Sequence, residues 1–190
     1  SGQILEAHHS FWPMLSAMGQ AKAAVSHMER GLSLYVREQH AAQAFIYGGH
    51  DAGACCRWHL AMNRWLLGFP EQASSELRET LRLVEELRHP QTTGLAQSFL
   101  SWVQYQRGEH DAAVDTAEQL FALANAHGFR PLLDYAVILR HVCAGKRSDI
   151  NALRDLCRRL GTLALSQWRK TFCICVLAEQ CMNRGHTEEA

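Results

Sequence analysis

Apolar residues along this chain recur at three- and four-residue intervals, the spacing of one face of an α-helix, rather than in the alternation of a half-buried strand. The pattern predicts a helix ending near Met18 and a second from about Lys22 to Tyr35, followed by an irregular connection from Val36 to Gly49. Further helices are predicted over 52–67, 70–88, 91–107, 110–127, 131–144, 148–160 and 164–184. No run rich in Val, Ile and Thr lies between hairpin turn signals, so strands are not expected. Pro70, Pro90 and Pro131 stand where helices begin or end. Asp51 and Ser148 suit N-caps, because a short side-chain oxygen can take an unpaired N–H of the first turn. Gly128 and Gly161 suit helix C-termini, where the backbone turns to positive φ.

The predicted helices fall into repeating pairs. Gly19–Ala24, Gly68–Ala73, Gly108–Ala113 and Gly185–Ala190 share one spacing, and Gly145–Ile150 keeps it with a larger apolar residue. The glycines lie 49, 40, 37 and 40 residues apart, a period that marks stacked supersecondary units. Eight residues before them stand Phe11, Leu60, Leu100, Val137 and Leu177, apolar in every copy. The next column holds Trp12, Ala61, Ser101, Ile138 and Ala178, three of them small enough for close helix approach. Each unit therefore reads as helix A, a tight glycine turn and helix B.

A glycine in the turn of a helix hairpin, with alanine five residues on, resembles the tetratricopeptide (TPR) repeat. The period here is longer than the usual ~34 residues, and the proline that closes each unit is mostly missing. The resemblance implies an all-α fold: one TPR-like domain over 1–190, about four and a half antiparallel hairpins stacked in a right-handed superhelix, an α-solenoid. A narrower likeness rests on YGGHDAGACC (Tyr47–Cys56), WLLGFPEQA (Trp65–Ala73), MERGLSLY (Met28–Tyr35) and Gln39-His40. These stretches resemble the helical-repeat region of bacterial multidomain signalling proteins. There, a class III nucleotide cyclase or other regulatory domain precedes an AAA-type ATPase and a C-terminal TPR-like array. That likeness implies a fragment of a longer protein, with cyclase and ATPase chemistry N-terminal to Ser1.

Lys plus Arg equals Asp plus Glu at 19 each, so no net field draws the chain to nucleic acid or anionic lipid. Neither nucleic acid nor membrane is expected as a partner, and no apolar run reaches the ~18 residues of a membrane span. Seven cysteines in apolar helical stretches, without a regular framework, point to a reducing cytoplasm.

Four constellations bear on chemistry. His50-Asp51 is the kind of doublet that ligates metal in helical HD-type hydrolases, but His40, Asp111 and Asp134 complete it only by arbitrary choice. Cys55, Cys56 and His59 share a helical face without a second ligand pair, while Cys173 and Cys175 point apart. Arg154, Arg158 and Arg159, with Lys146 and Arg147, are interleaved with Asp149 and Asp155, as on a solvated helix face. No catalytic residue, metal site or cofactor is assigned.

The fourth is the A-helix face ten, six and three residues before each glycine: Trp58, Met62, Trp65; Ser98, Trp102, Tyr105; Tyr135, Leu139, Val142; Cys175, Glu179, Met182. In TPR arrays this face lines the concave groove. The expected binding residues are Trp58, Met62, Trp65, Trp102, Tyr105 and Tyr135, with Arg57, Arg64, Gln104 and Arg140 as a polar rim suited to a peptide or a flat ligand. The chain is thus expected to be a non-catalytic module that binds a protein or peptide, including N-terminal domains of its own chain, and regulates an attached ATPase or cyclase. Exposed ends of the array would allow a homodimer. The alternatives are a metal-dependent hydrolase built on His50-Asp51 and a passive spacer.

Overall fold

The computed structural model describes residues 2–163 and 167–185. Its contacts gather into two compact units, Ser1–Val103 and Gln104–Ala190. The first holds α1 (Gly2–Ala17), α2 (Ala21–Leu34), α3 (Arg37–His40), a 3-10 turn (Ala41–Phe45), α4 (Ala52–Leu66), α5 (Pro70–Leu87) and most of α6 (Pro90–Gln106). The second holds α7 (His110–His127), α8 (Arg130–Cys143), α9 (Ile150–Arg159) and α10 (Gln167–Met182), with 3-10 turns at Gly145–Arg147 and Leu160–Thr162. The fold is all-α and TPR-like, with no strand among the described residues.

The glycine spacing has a specific backbone cause. Gly19, Gly68, Gly108, Gly145 and Gly185 all have positive φ, between 54° and 85°. A Cβ at any of them would meet nothing within 4 Å, so glycine is required by conformation and not by space. In the first three turns the glycine N–H donates to the carbonyl three residues back and the next N–H to the one five back: Gly68 to Trp65 at 3.0 Å and Phe69 to Arg64 at 2.8 Å, for example. These are the two bonds of the Schellman motif, which satisfy carbonyls left open at a helix end. The residue after the glycine then opens helix B, its carbonyl accepting from the N–H of Ala24, Ala73 or Ala113 at 2.9–3.0 Å. All three alanines are fully buried. The fourth alanine, Ala190, lies outside the described residues.

Helix pairing then buries the apolar faces. In the first unit α1 packs on α2, α4 on α5, and both α1 and α2 on α4. Leu5, Trp12, Met28, Trp58 and Leu60 form the centre of this core. The column seven residues before each glycine is regular, with Trp12, Ala61, Ser101 and Ile138 buried in their own units and Ala178 half-buried. The column before it is less so, since Phe11 is exposed. Gly31 in α2 faces the Trp12 ring so closely that a Cβ would sit 2.6 Å from it. In the second unit α7 packs on α8, and α10 on α8 and α9.

Several local expectations change. Asp51 caps α4, its side chain accepting from Ala54 N–H, but α9 is capped by Asp149 rather than Ser148. The Gly145–Arg147 3-10 turn shifts the start of α9, leaving the Ser148 hydroxyl 2.8 Å from His141 Nδ1. Gly128 is a left-handed C-cap as expected, whereas Gly161 lies in a 3-10 turn without positive φ. Arg88 takes the left-handed C-cap of α5 without being glycine. The irregular connection contains α3 and a 3-10 turn, and Pro13 lies inside α1.

Gly68→Ala or Gly108→Ala should each cost roughly 1–2 kcal/mol, the penalty of a Cβ in left-handed backbone. Gly161→Ala should be neutral or slightly stabilising. Gly31→Ala should destabilise despite alanine's better helix propensity, because it meets Trp12. Urea unfolding of the four variants checks the order.

Candidate functional site

Two regions collect the residues singled out by sequence. The first surrounds the start of α4. Gly48 and Gly49 both have positive φ, at 68° and 71°, in the turn that leads to His50 and to Asp51, the N-cap of α4. Asp51 is buried, and both carboxylate oxygens are engaged: Oδ1 accepts from Ala54 N–H at 2.8 Å and Oδ2 from the Tyr35 hydroxyl at 2.9 Å. Its own N–H donates to Thr92 Oγ1 at 3.0 Å. Burial raises the Asp51 pKa, against the lowering effect of the Ala54 N–H and Tyr35 bonds. The Tyr35 hydroxyl is pushed up by burial and by Asp51. Asp51 therefore serves as a helix cap, and among the described residues it joins no cluster of potential metal ligands. His40 Nδ1 accepts from Val36 N–H, while Asp134 and Asp111 pair with Arg130 and Arg147.

His50 turns away from Asp51 towards α1. Its Nδ1 lies 2.8 Å from the Gly48 carbonyl and its Nε2 3.1 Å from His9 Nε2. His9 Nδ1 is 2.8 Å from Glu6 Oε2, and its ring stacks on Trp12. Burial lowers the His9 pKa to about 4 and raises that of Glu6. His9, His50 and Cys55 place one ligand atom each within 4.8 Å of one another. Of the helical trio, Cys55 Sγ and His59 Nδ1 meet at 3.5 Å, with the same nitrogen 2.9 Å from the Cys55 carbonyl, while the Cys56 thiol turns away and donates to the Met28 carbonyl at 3.0 Å. Burial pushes both thiols up. Among the described residues no disulfide links the cysteines.

The second region is the A-helix face. Trp58 is buried and stacks on Phe99, with ring centroids 5.6 Å apart. Met62, Trp65 and Trp102 are half-buried at the edge of the first unit's core. In the second unit Tyr105 is half-buried, its hydroxyl accepting from Gln180 Nε2 at 3.1 Å. Tyr135, Leu139 and Val142 are fully buried, with the Arg169 guanidinium 4.9 Å from the Tyr135 ring centroid. Cys175, Glu179 and Met182 are exposed. Arg57 and Arg64 are tied to helix B of their own hairpin, and Arg140 to helix B of the preceding one. Arg57 and Arg64, two turns apart on α4, both reach Glu76 of α5, at 2.8 and 2.6 Å. Arg140 pairs with Glu118 at 2.6 Å and lies over Phe121. Gln104 accepts from the Thr116 hydroxyl. Arg147 and Arg159 pair with Asp111 and Asp155, and the side chain of Lys146 lies outside the described residues.

Residues 94–119 match the tetratricopeptide repeat family, a span running from α6 through the Gly108 turn into α7. It includes Trp102 and Tyr105 and identifies a TPR-like helical-repeat region. The chain is also similar to an uncharacterized protein of Rhizobium meliloti (strain 1021), 20% identical over 168 residues. That match covers 84% of this chain and 16% of the relative, so the chain spans about a sixth of the relative's length. No solved structure gives a significant match. No helix is long and apolar enough to cross a membrane among the described residues.

Tyr35→Phe should cost about 1.5–3 kcal/mol, because it strips a hydrogen bond from a buried acidic group. Asp51→Ala should cost more, since the α4 cap is lost as well. Denaturant midpoints of the two variants check the order.

Proposed function

We propose that this chain is a non-catalytic interaction module that binds a protein or peptide segment through the half-buried aromatics of its A helices. Its occupancy regulates a signalling ATPase or nucleotide cyclase carried on the same longer protein. The observation that carries the reading is the tetratricopeptide match over 94–119, because TPR repeats generally mediate protein–protein contact and the span contains Trp102 and Tyr105. Half-buried indoles suit this role, because they offer apolar area at low entropic cost. Met62 and Trp65 extend the apolar surface on α4. Trp58 backs that surface from within the first unit's core, and Tyr135 lies in the core of the second unit. Arg57 and Arg64 hold α4 to α5, Arg140 holds α8 to α7, and the three supply cations beside the aromatic face. The relative's extra length is consistent with further domains on which such a module would act.

The test is a Trp65→Ala, Trp102→Ala double variant in the full-length protein, with helical content and Tm checked by circular dichroism. ATP hydrolysis and cyclic-nucleotide formation are measured with and without the repeat region. Deleting the region should change the basal rate, and the double variant should reproduce at least half of that change while remaining folded. A folded double variant with wild-type output would make the region a spacer and overturn the reading.

A further inference from the structure

We infer that His9 Nε2, His50 Nε2 and Cys55 Sγ form a binding site for a divalent cation of the zinc class, with a fourth coordination position open to the cleft beside Tyr47. The first ground is the set of atoms and their spacing. Two imidazoles and a thiolate are the donors that zinc and similar borderline-soft ions select. With metal–nitrogen bonds of about 2.0–2.1 Å, a tetrahedral edge between two nitrogens is about 3.3 Å. The two Nε2 atoms stand 3.1 Å apart, so they already lie close to that edge. The Cys55 sulfur lies within 4.8 Å of both, which leaves it at most about 1.2 Å to close towards a nitrogen–sulfur edge of about 3.6 Å.

The second ground is how the two rings are held. A carbonyl oxygen can only accept, so the 2.8 Å contact of His50 Nδ1 with Gly48 places the hydrogen on Nδ1 and a lone pair on Nε2. Glu6 Oε2, 2.8 Å from His9 Nδ1, does the same for His9 in the state in which its carboxyl has lost its proton, as it would beside a bound cation. Both Nε2 lone pairs then face one another, an arrangement that calls for a cation between them. A carboxylate or carbonyl on Nδ1 is also the outer partner that fixes a metal-bound imidazole.

The third ground is the setting. The Trp12 indole N–H is buried without a hydrogen-bond partner beneath the stacked His9 ring, and the Cys55 sulfur is buried 3.5 Å from His59 Nδ1. On the other side a cleft of about 360 Å³, lined by His9, His50, Tyr47 and Glu6 among others, gives an ion and a fourth ligand access from solvent. Three protein ligands with one open position is the arrangement of reactive or exchangeable zinc sites rather than closed structural ones. The three ligands join α1, the Gly48-Gly49 turn and α4, so an ion here would tie together segments 41 residues apart in sequence.

The test uses the purified 190-residue chain, stripped with a chelator and titrated with Zn²⁺ and Co²⁺. Expected are one equivalent of Zn²⁺ per chain, a raised Tm, and a thiolate-to-cobalt charge-transfer band with Co²⁺. Glu6→Gln should weaken Zn²⁺ binding by about 10–100-fold, as losing an outer-shell partner does, and His50→Ala by at least as much. Cys55→Ser should abolish the cobalt band, while Cys175→Ser, at an exposed cysteine on α10, should leave it intact. His50 is only half-buried, so its variant should stay folded and decides the matter even where Cys55→Ser does not fold. Zn²⁺ binding below one equivalent without a Tm rise would mean that a shared proton joins the histidines, and would overturn the site. So would binding unchanged in His50→Ala, or a cobalt band that survives Cys55→Ser.

Discussion

The hairpins that turn at Gly19, Gly68 and Gly108 each depend on one residue whose backbone must enter the left-handed region. A helix cannot reverse on itself without leaving carbonyls unpaired, and the positive-φ glycine lets two N–H groups fold back onto them. Once that turn is set, the direction of helix B follows, and the alanine five residues later is carried against helix A. Buried alanine at that point admits the close approach, and the larger aromatic and aliphatic residues fill the seam around it. Core, caps and ion pairs are arranged around a geometry that the turns have already decided.

This order of causes explains what was readable beforehand. Glycine and proline act locally, so helix limits at Gly68, Pro70, Pro90, Gly108 and Gly128 fall where the sequence places them. Ser148 misled because Asp149 beside it is an equally good cap and the 3-10 turn moved the helix start by two residues. Gly161 misled because a glycine's freedom shows only where left-handed backbone is permitted, not where it is used. Arg88 was invisible for the opposite reason, taking that conformation without the residue that advertises it.

The chemistry near α4 was harder to read because its partners are distant in sequence. His50 and Asp51 are adjacent, yet the cap turns one inward to Tyr35 and Thr92 while the glycine turn sends the other to His9. Adjacent residues in an extended entry to a helix point apart, so a doublet read as one site became two. The aromatic face was legible as a face, but its degree of burial was not. Trp58 is covered by Phe99, from a helix that periodicity alone does not place against it. Helical spacing tells which side a residue occupies; the neighbouring hairpin tells how much of it stays in water.

The bond between Asp51 N–H and Thr92 Oγ1 closes a loop of 41 residues, whereas the turn bonds close within six. It pins the start of α4 to the start of α6 across the whole intervening hairpin. With His89 Nδ1 2.7 Å from the same hydroxyl, the pin is shared by the short connection that follows α5. Residues added to one helix of this hairpin would shift its exit and part the pin unless its partner lengthened to match. Drift in repeat length should therefore accumulate elsewhere, as in the long connection between α2 and α4, and leave this hairpin at its present size.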